Sequence, residues 1–315
     1  MWKKYIIKKL SMLCITLLLI SILTFFVFSV LPGDASVSKL GTDATPERIE
    51  ALREEMGLNQ PVIKRYVWWL ADALHFNFGE SYQYEGVAVQ SLVGERLGIT
   101  ALLTILASVF IILISFPLGV FCGKHKGKWV EGMIHFMSRL TMAVPPFFLG
   151  VLLTFVFGIL LHIFTPGAFV FPRENFFGCI SYLIFPAISI ALPKSAMTIG
   201  YLSAAIKRET NKDYVRTAYS KGCSENQVFY CHILKNAMIP VITFLALVLV
   251  DVIAGSLVVE QVFSVPGIGR LLVTAISNRD FPVVQAVLLL LTGIVVIVNC
   301  FVDIIYHWID PRVEV

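Results

Sequence analysis

"DYVRTAYSKGCSENQVFYCHILKNAMIP", residues 213–240, is a polar, charged island in an otherwise greasy chain. Apolar spans lie on both sides of it, so its reading decides the fold. The chain has 315 residues, 57% hydrophobic and only 15% charged, with a mean hydropathy of +0.81. Soluble domains run nearer a quarter charged. This composition specifies a polytopic membrane protein and excludes an ordinary soluble enzyme. The island is then a loop between two spans, at the membrane surface.

About 20 apolar residues cross a bilayer. Spans are expected at 10–31, 97–123, 140–161, 183–206, 238–259 and 285–308. The first follows Lys3, Lys4, Lys8 and Lys9, like a signal peptide. However, its apolar run exceeds the roughly 7–15 residues of a signal's core, and it runs into Pro32, Gly33 and Asp34 instead of a small-residue cleavage site. It reads as an uncleaved helix. The expected fold class is therefore all-α, with six transmembrane helices and both termini on one side. Four N-terminal lysines, the loop "KHKGK" (124–128) and the island with Lys207, Arg208, Lys212, Arg216, Lys221 and Lys235 share that side. The opposite loops, 162–180 and 263–284, hold only Arg173, Arg270 and Arg279 as basic residues. The positive-inside rule puts the lysine-rich side, and both termini, in the cytoplasm.

Residues 1–96 form a first region, one span plus a long external loop; residues 97–315 form a core of five spans. In the loop, "TPERIEALREEMG" reads as a helix with Thr45 as N-cap, Pro46 first and Gly57 as stop. A second helix from about Pro61 carries Trp68, Trp69 and Leu70, which suit either a membrane interface or packing onto the bundle. Pro117, Pro145, Pro146, Pro186 and Pro193 interrupt spans. Each removes a backbone hydrogen bond and bends its helix. Six cysteines are scattered with no CxxC pair, so no disulfide framework or zinc site is expected. Cys223, Cys231 and His232 read as cytosolic helix residues in preference to metal ligands.

Within the island, Asp213 and Ser224 are candidate N-caps and Gly222 is a break. Two short helices would form a knob. Val228, Phe229, Ile233, Leu234 and Ala237 recur at helical spacing, giving an apolar face to fill a partner's groove or to lie on lipid. Intramembrane charges are functional candidates by default. Lys194 and Asp251 sit near the middle of the fourth and fifth spans. Either they pair across neighbouring helices, or Asp251 lines a pathway. Asn299 and Asp303 share one helical face. Glu260 lies at the outer end of the fifth span, to cap the external loop or border an entry mouth; "SVPGIG" after it reads as a tight turn freed by Gly267 and Gly269.

The island resembles the cytoplasmic coupling loop of ABC-transporter permeases, in the variant of the dipeptide, oligopeptide and nickel importers. That resemblance rests on Asp213, Tyr214, Arg216, Thr217, Ala218, Lys221, Gly222, Ser224, His232, Asn236 and Pro240. "MGLNQP" (56–61), "FGESY" (78–82), "VVEQVFSVPGIGRLL" (258–272), "NRDFPVVQA" (278–286) and "NCFVDIIYHWIDPR" (299–312) also look like the family, so the likeness covers the whole chain. It departs where the family usually has arginines, at Gly200 and Ser203, and in having Ala35 after Pro32, Gly33 and Asp34.

The resemblance implies a type I importer permease of the bacterial inner membrane, forming half of a translocation pathway. It implies a second, related permease, two ATP-binding subunits and an extracytoplasmic binding protein as partners, with lipid around them and no nucleic acid. The coupling loop, about 207–236, would seat in an ATP-binding subunit. No cofactor is expected on this chain; ATP and Mg belong to the partners, since "GKHKGKW" lacks the Ser/Thr of a phosphate-binding loop. Peptide is the first expected substrate, with nickel as the alternative. A single-chain secondary transporter would tend to show two related halves, and none is visible; nor is a catalytic motif such as HExxH or GxSxG.

Overall fold

In the computed structural model, the described residues are 2–30, 45–55 and 59–309. They form α1 (Trp2–Val30), α2 (Pro46–Glu55), α3 (Val62–Leu74), α4 (Val89–Lys124), α5 (Trp129–Ala143), α6 (Pro146–Leu160), α7 (Phe176–Thr210), α8 (Asp213–Ser220), α9 (Glu225–Val262), α10 (Ile268–Ser277) and α11 (Phe281–Ile309). Five helices are long and apolar enough to cross a membrane, and six crossings result if the bent pair α5–α6 counts as one. The expected all-α, multi-span class stands. The "PGDA" stretch, Gly57 and "DPR" lie outside the described residues, as does the side chain of Asp303.

The chain forms two compact units. One holds the described residues up to Ile99 together with Pro266–Cys300; the other holds Thr100–Val265 and the described residues from Phe301.

In the first unit, α3 lies on α1. Tyr66 Oη and Ser21 Oγ are 2.8 Å apart, and the Phe25 ring meets Tyr66 at 5.4 Å and Trp69 at 5.5 Å. Trp68 points away, half-exposed, with Lys64 Nζ 4.6 Å above its ring. The tryptophan pair thus divides between bundle packing and the outer surface. Beyond α3 the chain makes a tight excursion closed by an antiparallel bridge between Glu80 and Ala88. Its inner side is fixed by Asp280, just before α11. That buried carboxylate accepts from Ser81 Oγ, from the Tyr82 amide at 3.1 Å and from the Gln83 amide at 3.3 Å. Burial, then the nearby Asp280 charge, pushes the Tyr82 phenol up to about 12, so it stays neutral at any ordinary pH.

The second unit is built on α7, which packs against α5, α6 and α9. Its buried side is rich in small residues, Ser189, Ala191, Ser195, Ala196 and Thr198, which let helices approach closely where lipid provides no hydrophobic drive. The α4 contact goes further. Gly119 and Gly123 are spaced i, i+4, and an added Cβ would sit 2.8 Å from Leu202 at the first and 2.7 Å from Ile206 at the second. Where α9 ends, the Tyr182 hydroxyl donates to the Phe263 carbonyl.

Four local expectations need correction. The third span is two helices, bent by 97° at Val144–Pro145, because two successive prolines cannot continue the ladder; α5 itself lies ahead of the expected span. The fifth span starts at Glu225, well inside the island. Residues 263–284 hold α10. In "SVPGIG", neither glycine needs its freedom: Gly267 (φ −96°) precedes α10 and Gly269 is helical, while the left-handed residue is Ser264 at φ +55°.

Replacing Gly123 with leucine should overpack the α4–α7 contact, at a cost of about 1–3 kcal/mol or more. Folded yield, read by fluorescence-detected gel filtration, should fall in the order Gly, Ala, Leu. Equal yields would mean the contact is not close-packed.

Candidate coupling and pathway site

The island is not a free-standing knob. α7 ends at Thr210, the chain turns at Asn211–Lys212, and helical backbone resumes at Asp213. Lys212 therefore occupies the cap position, and Asp213 is the first helical residue, where its charge favours the helix dipole. The cap expected of Asp213 is off by one position. α8 stops at Lys221, and Gly222 turns the chain at φ +84°, a conformation only glycine adopts freely. Ser224 then caps α9 in a reciprocal capping box with Gln227.

The apolar face turns inward. Val228, Phe229, Ile233 and Ala237 are buried with Val215 and Ala218 of α8 and with Leu202, Ala205 and Ile206 of α7. The anchors expected to fill a partner's groove instead fill this chain's own core, because α9 is continuous with the island and its inner face must be covered. What faces outward is polar and aromatic: Asp213, Arg216, Thr217, Tyr219, Lys221, Tyr230, His232 and Asn236 are exposed. Arg216 and Asp213 stand 3.9 Å apart with solvent around both.

Polar contacts tie the island down. The Tyr214 hydroxyl donates to Glu209 Oε2 at 2.9 Å and is hydrogen-bonded to Asn236, joining α8 to α9. Burial pushes the Tyr214 phenol up; the Asn236 bond works against that shift, and the Glu209 bond adds to it. Lys212 Nζ meets the other Glu209 oxygen at 2.7 Å. From the end of α4, Lys124 donates to Asn226 Oδ1 at 2.8 Å and lies about 5 Å over the rings of Phe229 and Tyr230. Lys207 donates to Glu131, which also accepts from the Gly127 amide at 2.6 Å. Lys124, Lys126, Lys207, Tyr219 and Glu225 surround a cleft of about 130 Å³. Sequence reasoning missed these tethers; the lysines of 124–128 carried only an orientation signal. Pro240 lies inside α9. Cys223 and Cys231 are free thiols, and among the described residues no three His, Cys, Asp or Glu side chains gather.

Farther along the same two helices, Lys194 Nζ donates to Asp251 Oδ2 at 2.9 Å. The lysine side chain is 17% exposed and the carboxylate 59%. The pair is formed, yet one side is open. Glu260 is fully buried and accepts from Thr100 Oγ1 at 2.6 Å. Asn299 is half-buried on α11.

Residues 115–315 match the family described as binding-protein-dependent transport system inner membrane component, and residues 1–104 match its N-terminal region. The chain belongs to that family. Its members are transport permeases of the inner membrane, and transport by this family depends on a binding protein. A putative peptide transport system permease protein of Brucella abortus is 36% identical over 313 residues, 98% of each chain. The oligopeptide transport system permease protein AppB of Bacillus subtilis is 36% identical over 98% of this chain and 99% of its own. A probable peptide ABC transporter permease protein of Sinorhizobium fredii is 32% identical over 310 residues. The crystal structure of an amino acid ABC transporter with histidines superposes with a TM-score of 0.57 over 70% of this chain and 94% of that one, at 14% identity, and shares the fold.

The inward face and the outward face should separate in mutagenesis. Phe229→Ala should cost about 3–5 kcal/mol and lower the thermal midpoint of the purified protein. Tyr219→Ala should leave that midpoint unchanged. Equal shifts would contradict the division.

Proposed function

We propose that this chain is one permease subunit of an ATP-driven importer for di- and oligopeptides, with residues 97–315 as the transporting core. The observation that carries the reading is the island: a capped, tethered helical corner whose outward surface is aromatic and basic, on the lysine-rich side of the membrane. That surface suits a protein partner, since tyrosine and arginine are favoured at interface hot spots. Two ATP-binding subunits carry ATP and Mg, one beneath this chain and one beneath a related second permease. A binding protein delivers substrate to the opposite, outer face. The lysine-rich side, with both termini, is cytoplasmic. This chain binds no cofactor; it receives mechanical work through Arg216, Tyr219, Lys221 and Tyr230.

Peptide is favoured over nickel on two grounds. The permeases of Brucella abortus and Bacillus subtilis compared above are named for peptide and oligopeptide transport. Asp251, the carboxylate open at mid-helix, already has an ammonium at 2.9 Å, and a divalent metal seeks several oxygen or nitrogen ligands without a competing cation.

The test uses the whole complex, reconstituted in nanodiscs with its binding protein. ATPase activity should rise with di- to pentapeptides and not with Ni²⁺, free or chelated. Tyr219→Ala and Arg216→Glu should each lower that stimulation about tenfold, the effect of losing one hot-spot contact. Stimulation by Ni²⁺ alone would overturn the substrate, and no ligand-dependent ATPase at all would overturn the importer.

A further inference from the structure

An ion pair whose only task is to join two helices inside a bilayer is best sealed by protein, because exposed charge there is costly. The Lys194–Asp251 pair is not sealed. Asp251 is 59% exposed, and its second oxygen has no partner among the described residues. Lys194 has three ammonium donors, one of them on Asp251.

The open side belongs to a continuous face. On α9, Leu247, Ala254 and Val258 lie four residues before, three after and seven after Asp251, and all are exposed, so they share its side of the helix. Small Ala254 leaves space beside the carboxylate. On α7, Tyr201 lies two turns from Lys194; its ring stacks on Phe244 of α9 at 4.3 Å. The face is apolar and aromatic with a single pair of opposite charges in it.

We propose that this pair reads the two termini of a peptide in transit: the terminal ammonium moves onto Asp251 while the terminal carboxylate takes Lys194. The inference rests on the peptide-importer reading above. Only partners are exchanged. Each of the four charges keeps an opposite charge throughout, and the site is net neutral with or without substrate. A bare cation would gain one carboxylate and a repelling ammonium, so it is not matched. The termini of an extended dipeptide are about 7 Å apart, against 2.9 Å between Nζ and Oδ2. Passage therefore requires the pair to open, and the flexible four-carbon stem of lysine allows its ammonium to swing aside. The empty site is closed and the occupied site open.

The experiment uses proteoliposomes of the complete complex with its binding protein. A dipeptide with free termini and its N-acetylated, C-amidated form, each first shown to load the binding protein, are supplied at matched loading. The variant is Lys194→Met/Asp251→Asn, which removes both charges and strands neither; its assembly is verified by co-purification of all subunits. Uptake of the free peptide should fall at least about tenfold, the equivalent of losing one charge-assisted hydrogen bond, while the blocked peptide should change less than about twofold on the same scale. The single variant Asp251→Asn should also slow the free peptide more than the blocked one. Free-peptide uptake at the wild-type rate in the double variant would overturn the proposal and leave the pair a packing device or a contact with the second permease. An equal fall for both peptides would overturn it as well. These outcomes are distinct from failure of the peptide reading, in which the wild-type complex itself moves no peptide.

Discussion

The contact between α7 and α9 is the interaction on which the second unit depends. It begins where Phe229 and Ile233 bury against Leu202 and Ile206, continues through the stacked rings of Tyr201 and Phe244, and reaches the Lys194–Asp251 pair. The chain has no water inside a bilayer to satisfy stray polar groups, so the charged pair and the tyrosine along this contact have a partner or an open face; the buried Ser195 hydroxyl has no side-chain hydrogen bond among the described residues. Because α9 runs continuously from Glu225 to Val262, with a π-helical stretch at Val228–Leu234 and Pro240 just beyond it, the island and the mid-helix charges ride on one helix. Asp251 lies 26 residues beyond Glu225, about 39 Å at 1.5 Å per residue. A displacement applied to the island is a displacement of that helix.

The tethers decide what moves with it. Tyr214 holds α8 to α9 through Asn236 and to α7 through Glu209. Lys124 adds the end of α4, and the Gly119 and Gly123 contacts hold α4 against α7 over the preceding turns. The bent pair α5–α6 joins through Glu131, held by Lys207. The outward surface of Arg216, Tyr219 and Tyr230 thus stands on a base with little internal slack. Work delivered there in the way proposed would have a stiff route into the membrane.

Much of this was legible in the sequence wherever local chemistry is decisive. Composition fixed the class, Gly222 and Ser224 marked the corner, and the cost of lone intramembrane charges made the Lys194–Asp251 pair foreseeable. The rest depends on information that local patterns lack. Hydropathy counts apolar residues and not helix continuity, so the polar first turns of α9 looked like a separate element. Glu131, His135 and Arg139 hid α5 for the same reason. The apolar face of the island showed that something covers it without showing what; the cover is α7. Asp280 and Ser81 are separated by 199 residues, and no periodicity links positions so far apart, although both fall in stretches that resemble the family.

The central claim is that the island and α9 move as one body. It is tested most directly by a spin-label distance within one chain, between labels at Ser220 and Val258, both exposed, in the complete complex before and after ATP and loaded binding protein are added. If the island and α9 move as one body, that distance stays constant while transport proceeds. A change of several ångströms would show that the island swings independently of α9 and would contradict the proposed route from an ATPase contact to the charge pair.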